Sequence, residues 1–172
     1  MPQAPGRVRA GVRRVHCDII YPMNEHEPAW AFECSIECGV TVEFAWNFWT
    51  NVRNWALDPD VESIEIDGPF AAGAQGTTNS RSSGRVNWRI VEAQAGRAVI
   101  EFPLSGAMAR FYWIFEPAAA GARITQRCTL EGDRAGTYVK EFGPSLAAGM
   151  PAGMRKLCAA MENAARLNRE DD

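Results

Sequence analysis

The chain has 172 residues, which is enough for one domain with a substantial buried core. Its formal net charge of -3 gives no general reason to expect nucleic acid or an anionic membrane as a partner. A membrane span requires about 18 consecutive apolar residues, and no window of the sequence contains such a run. The arginine-rich start lacks the apolar segment of a secretory signal.

Residues 1–28 are rich in Arg, Pro and Gly and show no hydrophobic periodicity. This composition predicts a flexible basic extension. A nucleic-acid or membrane tether is the rival interpretation, but Arg7, Arg9, Arg13 and Arg14 form only a small patch. A second hypothesis is that translation starts at Met23, in which case residues 1–22 would lie outside the native protein.

The five cysteines include no pair with CxxC spacing. Cys34 and Cys38 fall on one face of a predicted strand, about 13 Å apart at ~3.3 Å per residue. A disulfide requires Cα atoms closer than about 7 Å, so these two cannot bridge each other. We therefore expect reduced cysteines that act as small core hydrophobes in a cytoplasmic protein.

The first clear element is a strand from Trp30 to Cys38, where apolar and polar residues alternate. Thr41 suits the N-cap of a following aromatic helix, whose apolar stripe includes Trp49. A short helical turn with Trp55 and a turn at Asp58 come next.

Short strands separated by turns fill the middle of the chain. We predict one strand over 61–66, a second beside the glycines at 73 and 76, and alternating strands within 85–93, 98–102, 107–115 and 123–131. Strands of this length joined by short turns favour an antiparallel meander.

A helical period returns at Tyr138 and continues to about Leu167. Pro144 is predicted to begin the main helix, with a shorter piece before it. Gly149, Pro151 and Gly153 predict a kink or weak point inside the helix.

These elements predict an α+β domain over residues 29–172, with a curved antiparallel sheet of about six to seven strands wrapped around a long C-terminal helix and two short helices after the first strand. The order resembles the helix-grip fold of the START-like (SRPBCC) superfamily, in its polyketide cyclase/dehydrase-like branch. The segments that carry the resemblance are NVRNWALDPDVESIEIDG, GAQGT, VNWRIVEA, FYWIFEP and GARITQRCTL.

The resemblance implies a cavity between the sheet and the last helix that binds a hydrophobic small molecule, such as a lipid or a polyketide. The protein would then be a carrier or a sensor. For every candidate in the cavity wall, ordinary core packing is the alternative role. The candidate ligand-binding residues are Trp55, Trp88, Phe102, Phe111, Trp113, Met150 and Met154.

Few groups in the sequence suit catalysis. Both histidines, His16 and His26, lie in the predicted extension, and no nucleotide-binding, metalloprotease or nucleophile-elbow motif is present. Strand alternation directs Arg110 and Tyr112 to solvent, together with Arg89, Glu101 and Arg127. If the two faces were reversed, Arg110 and Tyr112 would be polar cavity groups able to bind a carbonyl or enolate oxygen.

Two other functions stay open. A cyclase or dehydratase that uses neither histidine nor metal would require an ionisable residue deep in the cavity, and Asp58 and Glu62 are candidates for its mouth. An interaction module would instead show an exposed apolar patch without an enclosed pocket. The sequence predicts no metal site, no cofactor and no nucleic-acid partner, and it leaves the oligomeric state open, a homodimer included.

Overall fold

The computed structural model describes residues 14–20, 28 and 30–170. The described elements follow one another in chain order. They are β1 (Val15–Ile20), β2 (Trp30–Cys38), α1 (Val42–Thr50), a 3₁₀ helix here called the short helix (Val52–Leu57), β3 (Val61–Ile66), β4 (Gln75–Ser80), β5 (Gly84–Gln94), β6 (Arg97–Leu104), β7 (Ala107–Ala118), β8 (Gly121–Glu131) and α2 (Ala135–Glu170).

The strands form one antiparallel sheet in the order β1-β2-β8-β7-β6-β5-β4-β3. From β3 to β8 each strand pairs with the next one in the chain, which confirms the predicted meander. The long helix α2 packs on one face of the sheet, chiefly against β2. The predicted helix-grip architecture is therefore confirmed, with eight strands where about six to seven were expected.

The face of the sheet that meets α2, here called the inner face, carries the core. Register places Ile36 of β2 and Phe115 of β7 on either side of Ile124 of β8, and all three side chains are buried. The helix turns four buried side chains toward this face: Met150, Met154, Cys158 and Met161. Their spacing of three and four residues is the stripe that a helix buries against a sheet.

Val15–Ile20, predicted as part of a flexible extension, form the strand β1 instead. It pairs with β2 from Val15 opposite Ile36 to Ile20 opposite Ala31. Arg7, Arg9, Arg13, Met23 and His26 lie outside the described residues, so what was predicted for them stays a prediction. The added strand accounts for the higher strand count.

A disulfide joins Cys17 of β1 to Cys34 of β2, so the prediction of fully reduced cysteines is wrong. The two residues lie directly opposite each other, with Cα atoms 4.2 Å apart. Cys38, Cys128 and Cys158 are buried thiols. This disulfide was not predicted from the sequence because one of its cysteines, Cys17, lies in the segment that was expected to be flexible.

The two α-helices differ in how well the sequence predicted their ends. Thr41 caps α1 as predicted, since its hydroxyl accepts a hydrogen bond of 3.1 Å from the Phe44 amide. The prediction that Pro144 begins the last helix is wrong, because α2 starts at Ala135 and continues through Pro144 and Pro151. Packing along a long amphipathic face outweighs the hydrogen bonds that the two prolines remove.

The opposite face of the sheet, the outer face, holds an ionic cluster. Glu101 of β6 is 4% exposed and accepts hydrogen bonds from Arg110 at 2.7 Å and from Arg89 at 2.9 Å. Arg110 also donates to Glu131. Burial alone would raise the pKa of the Glu101 carboxyl, but the two arginines outweigh it and hold this pKa below the ordinary value of 4.5. Glu101 was expected to face solvent. The arginines cover it instead.

We expect Glu101→Gln to lower the free energy of unfolding at pH 7 by about 1–3 kcal/mol, because the arginines lose a buried charged acceptor. The wild-type carboxylate is stabilising above the ordinary pKa of 4.5, and this contribution is lost as pH falls through the lower folded-state pKa. Urea unfolding at several pH values should therefore show the difference between the two proteins shrinking below pH 4.5. Glu65→Gln, at an exposed strand position, is the control. If the difference in free energy of unfolding between the two proteins persisted at low pH, this account would be contradicted.

The disulfide gives a prediction of thiol number. Unreduced protein unfolded in denaturant should present three reactive thiols, and reduced protein all five cysteines. Cys17→Ser should present four without reductant, since it leaves Cys34 unpaired. It should also be less stable by about 3 kcal/mol, as expected for a loop of this length. Five thiols in unreduced wild-type protein would show that the bond is absent.

Candidate functional site

Trp49 of α1 lies at the centre of an aromatic cluster. Its side chain is 3% exposed, and its ring centroid lies 4.8 Å from that of Trp113 and 5.2 Å from that of Phe70. Trp55 of the short helix packs 5.6 Å from Trp49 and donates its indole N–H to the Trp49 carbonyl at 2.7 Å. These contacts fix α1 and the short helix against β7, and that arrangement creates one wall of a cavity.

The cavity has a volume of about 340 Å³ and lies between the inner face of the sheet, the short helix and α2. This size falls within the range of about 300–1,000 Å³ that is usual for small-molecule pockets. Most of its surface is aromatic or aliphatic. The residues that line it are Phe48, Trp49, Asn54, Trp55, Leu57, Asp58, Val61, Ile100, Phe102, Phe111, Trp113, Gln126, Gly153, Lys156, Leu157 and Ala160.

The structure brings together four of the seven side chains predicted for the wall. Trp55, Phe102, Phe111 and Trp113 all line the cavity. Phe102 and Phe111 belong to neighbouring strands and pack edge to face, with centroids 5.2 Å apart. Strand alternation was sufficient to place them, because β6 and β7 keep an unbroken period of two there.

The other three predicted side chains are core residues outside this lining. Met150 is 6% exposed and Met154 1%, and both lie in the core between α2 and the sheet. Trp88 is 2% exposed and packs its ring over Gly76 of β4. Its indole N–H donates to the Thr78 hydroxyl at 3.0 Å. A Cβ atom at Gly76 would meet this ring at 2.2 Å, so the glycine in the hairpin makes room for Trp88.

Arg110 and Tyr112 lie on the outer face, away from the cavity. Arg110 is held in the ionic cluster with Glu101 and Glu131, and Tyr112 is its neighbour on the same side of β7. The alternative in which these two residues bind a carbonyl or enolate oxygen inside the pocket is therefore wrong. The register of β7, with Phe111 and Trp113 facing inward, determines this outcome.

Four polar side chains line the cavity, and three of them have protein partners. Asn54 donates to the Phe48 carbonyl at 2.8 Å. Asp58 and Lys156 lie 3.6 Å apart, with side chains 40% and 62% exposed, so they form a solvent-facing pair at the mouth. Glu62, the second carboxylate predicted for the mouth, instead pairs with Arg81 on the surface. The fourth polar residue is Gln126.

Sequence reasoning missed Gln126, although the sequence contains a signal for it. β8 presents Ile124, Gln126, Cys128 and Leu130 to the inner face, so one amide interrupts an otherwise apolar row. A polar residue at an inward position of a buried strand is uncommon and points either to a hydrogen-bond partner or to a ligand.

The described residues offer little for nucleophilic or metal chemistry. Burial raises the pKa of the Cys128 thiol to about 12, which keeps it protonated and unreactive. His16 lies on exposed β1 opposite Ser35, on the outer face. The Cys17–Cys34 bond removes two further thiols.

One group of side chains has the composition of a metal site. The Sγ atoms of Cys38 and Cys158 and a carboxylate oxygen of Glu162 lie within 4.8 Å of one another. They are engaged in hydrogen bonds, since Gly39 donates to Glu162 at 2.7 Å and the Cys38 thiol donates to the Cys158 carbonyl at 3.5 Å. These hydrogen bonds tie α2 to the end of β2.

Solved structures share the fold at low sequence identity. The di-domain ARO/CYC StfQ from the steffimycin biosynthetic pathway has a TM-score of 0.64 and 14% identity, over 78% of this chain and 52% of that one. This chain thus spans about half the length of StfQ. A protein from Mesorhizobium loti has a TM-score of 0.63 and 11% identity, over 77% of this chain and 97% of the other. One from Thermus thermophilus has a TM-score of 0.57 and 17% identity, over 78% and 97%.

None of the described helices combines the length and the apolarity that crossing a bilayer requires.

Sequence comparison identifies the family. A search of curated proteins finds no match. The family model described as polyketide cyclase / dehydrase and lipid transport matches residues 29–166, most of the chain. The resemblance noted in the sequence is thereby confirmed, and the chain belongs to this family.

Proposed function

We propose that this protein binds a hydrophobic small molecule in the cavity between the sheet, the short helix and α2, as a carrier or a sensor. The apolar lining of the cavity, with Phe102, Phe111 and Trp113 supplied by two neighbouring strands, is the observation that carries the proposal. Ring systems on a rigid sheet give a ligand a large apolar contact area without loss of much side-chain freedom. The family description, which includes lipid transport, agrees with it.

Cyclisation or dehydration of a polyketide-like substrate is the second candidate, favoured by the family description and by the ARO/CYC name of StfQ. Such chemistry would require a proton donor or acceptor near the buried substrate. Among the lining residues of the described chain, the ionisable side chains are Asp58 and Lys156, and they pair with each other at the mouth. Any catalysis would therefore rest mainly on folding the substrate chain inside the pocket.

An interaction module has less support. Among the described residues, five large apolar side chains are exposed, and they belong to β1, the end of the short helix, β5 and two distant positions of α2. The cavity, in contrast, provides a concave apolar surface. A cytoplasmic location and independence from nucleic acid, metal and cofactor stay predictions. The disulfide is a reason to test the location, because such bonds are rare in the reducing cytosol.

Blocking the cavity tests the proposed function. Gly153 of α2 lines it, and a Cβ atom there would meet nothing within 4 Å, so a larger side chain can enter the open space. We expect wild-type protein to bind the neutral fluorescent probe N-phenyl-1-naphthylamine, and Gly153→Phe to weaken this binding about ten-fold or more, equivalent to ~1.4 kcal/mol. A fluorescence titration measures both affinities.

Gly149→Phe is the matched control. Gly149 also lies in α2 with open space around its Cβ position, but it is exposed and outside the lining. This variant should keep the wild-type affinity. Equal loss in both variants, or no probe binding by the wild-type protein, would contradict the proposal.

A further inference from the structure

Gln126 of β8 is one of the residues that line the cavity. It is the central residue of β8, and its cross-strand neighbours are Cys34 of β2 and Trp113 of β7. Its side chain is half-buried and lines the cavity beside Phe111 and Trp113. The amide thus lies within an apolar surface.

This amide differs from the other polar groups of the lining. Asn54 donates to a backbone carbonyl, and Asp58 and Lys156 pair with each other. Within the part of the chain that the structure describes, the Gln126 amide makes no hydrogen bond. An amide has one acceptor oxygen and two donor hydrogens, and an apolar environment penalises it unless water or a ligand supplies partners.

The charges around the cavity limit the chemical class of the ligand group that can bind the Gln126 amide. Among the described lining residues the cationic side chain is that of Lys156, which is exposed at the mouth and paired with Asp58. A carboxylate or phosphate carried into the wall beside Gln126 would lose its hydration without gaining a positive charge. A neutral carbonyl or hydroxyl oxygen has a much smaller desolvation cost and matches an amide donor.

We propose that the ligand is a ring compound with a mainly apolar body and one neutral carbonyl or hydroxyl oxygen, and that Gln126 binds this oxygen. The inference rests on the proposed function, which it narrows to a ligand class. Gln126 then determines specificity. The aromatic side chains bind the ring body by contact area, and the amide selects among ring compounds of similar shape.

Matched probes test the inference. In 2-naphthol and 2-methylnaphthalene a hydroxyl and a methyl group of similar size occupy the same ring position. The ratio of their affinities, measured by isothermal titration calorimetry for each protein, removes the apolar contribution that both share. We expect Gln126→Met, which keeps side-chain length but loses the amide, to reduce the preference for 2-naphthol about five-fold, the value of one ordinary hydrogen bond.

The controls separate the possible failures. Gln94→Met changes an exposed glutamine at the end of β5, outside the lining, and should leave the ratio unchanged. Gln126→Leu is a second variant in case Met packs poorly, and thermal unfolding checks that both proteins are folded. An unchanged ratio in Gln126→Met with both probes bound would overturn the inference and leave the proposed function standing. If wild-type protein binds neither naphthalene probe nor N-phenyl-1-naphthylamine, the proposed function itself fails, and the inference fails with it.

Discussion

The packing of Trp49 is the interaction on which the cavity depends. This one ring contacts Trp46, Trp55, Phe70, Trp113 and Phe115, which come from α1, the short helix, the loop after β3, and β7. The short helix has little intrinsic stability, because a single 3₁₀ turn or two holds poorly in water. Its position follows from the rings around Trp49 and from the bond between the Trp55 indole and the Trp49 carbonyl. The same cluster therefore stabilises the fold and shapes the ligand space.

The sheet separates charge from apolar surface. Ion pairs are collected on the outer face, where Glu101 and its arginines stabilise neighbouring strands without approaching the cavity. The inner face keeps rings and aliphatic chains, with Gln126 as the polar exception on β8. For the proposed ligand, recognition in such a pocket depends on shape and on very few hydrogen bonds.

Sequence periodicity predicted the regions where one pattern runs without interruption. The bounds of β2 and β3, the cap at Thr41, and the inward direction of Phe111 and Trp113 all followed from alternation or capping rules. The errors arose where tertiary contacts decide. Pro144 lies inside a helix that is stabilised by packing. Trp88 has the strand periodicity of a cavity residue, but its ring packs over Gly76 in the core. The role of β1 depends on pairing with a strand already in place, which local composition does not reveal.

The fit between Gly76 and Trp88 has a consequence for how the sequence can change. Any side chain at 76 would occupy space that the indole fills, so a larger residue there requires a smaller one at 88. Losing the ring alone would leave a void beneath β4 and free the Thr78 hydroxyl. The two positions are thus tied as a pair. Homologues that carry a residue other than glycine at position 76 should therefore carry a side chain smaller than Trp at position 88. This paired change offers a way to align distant members of the family whose overall sequence identity is too low for alignment.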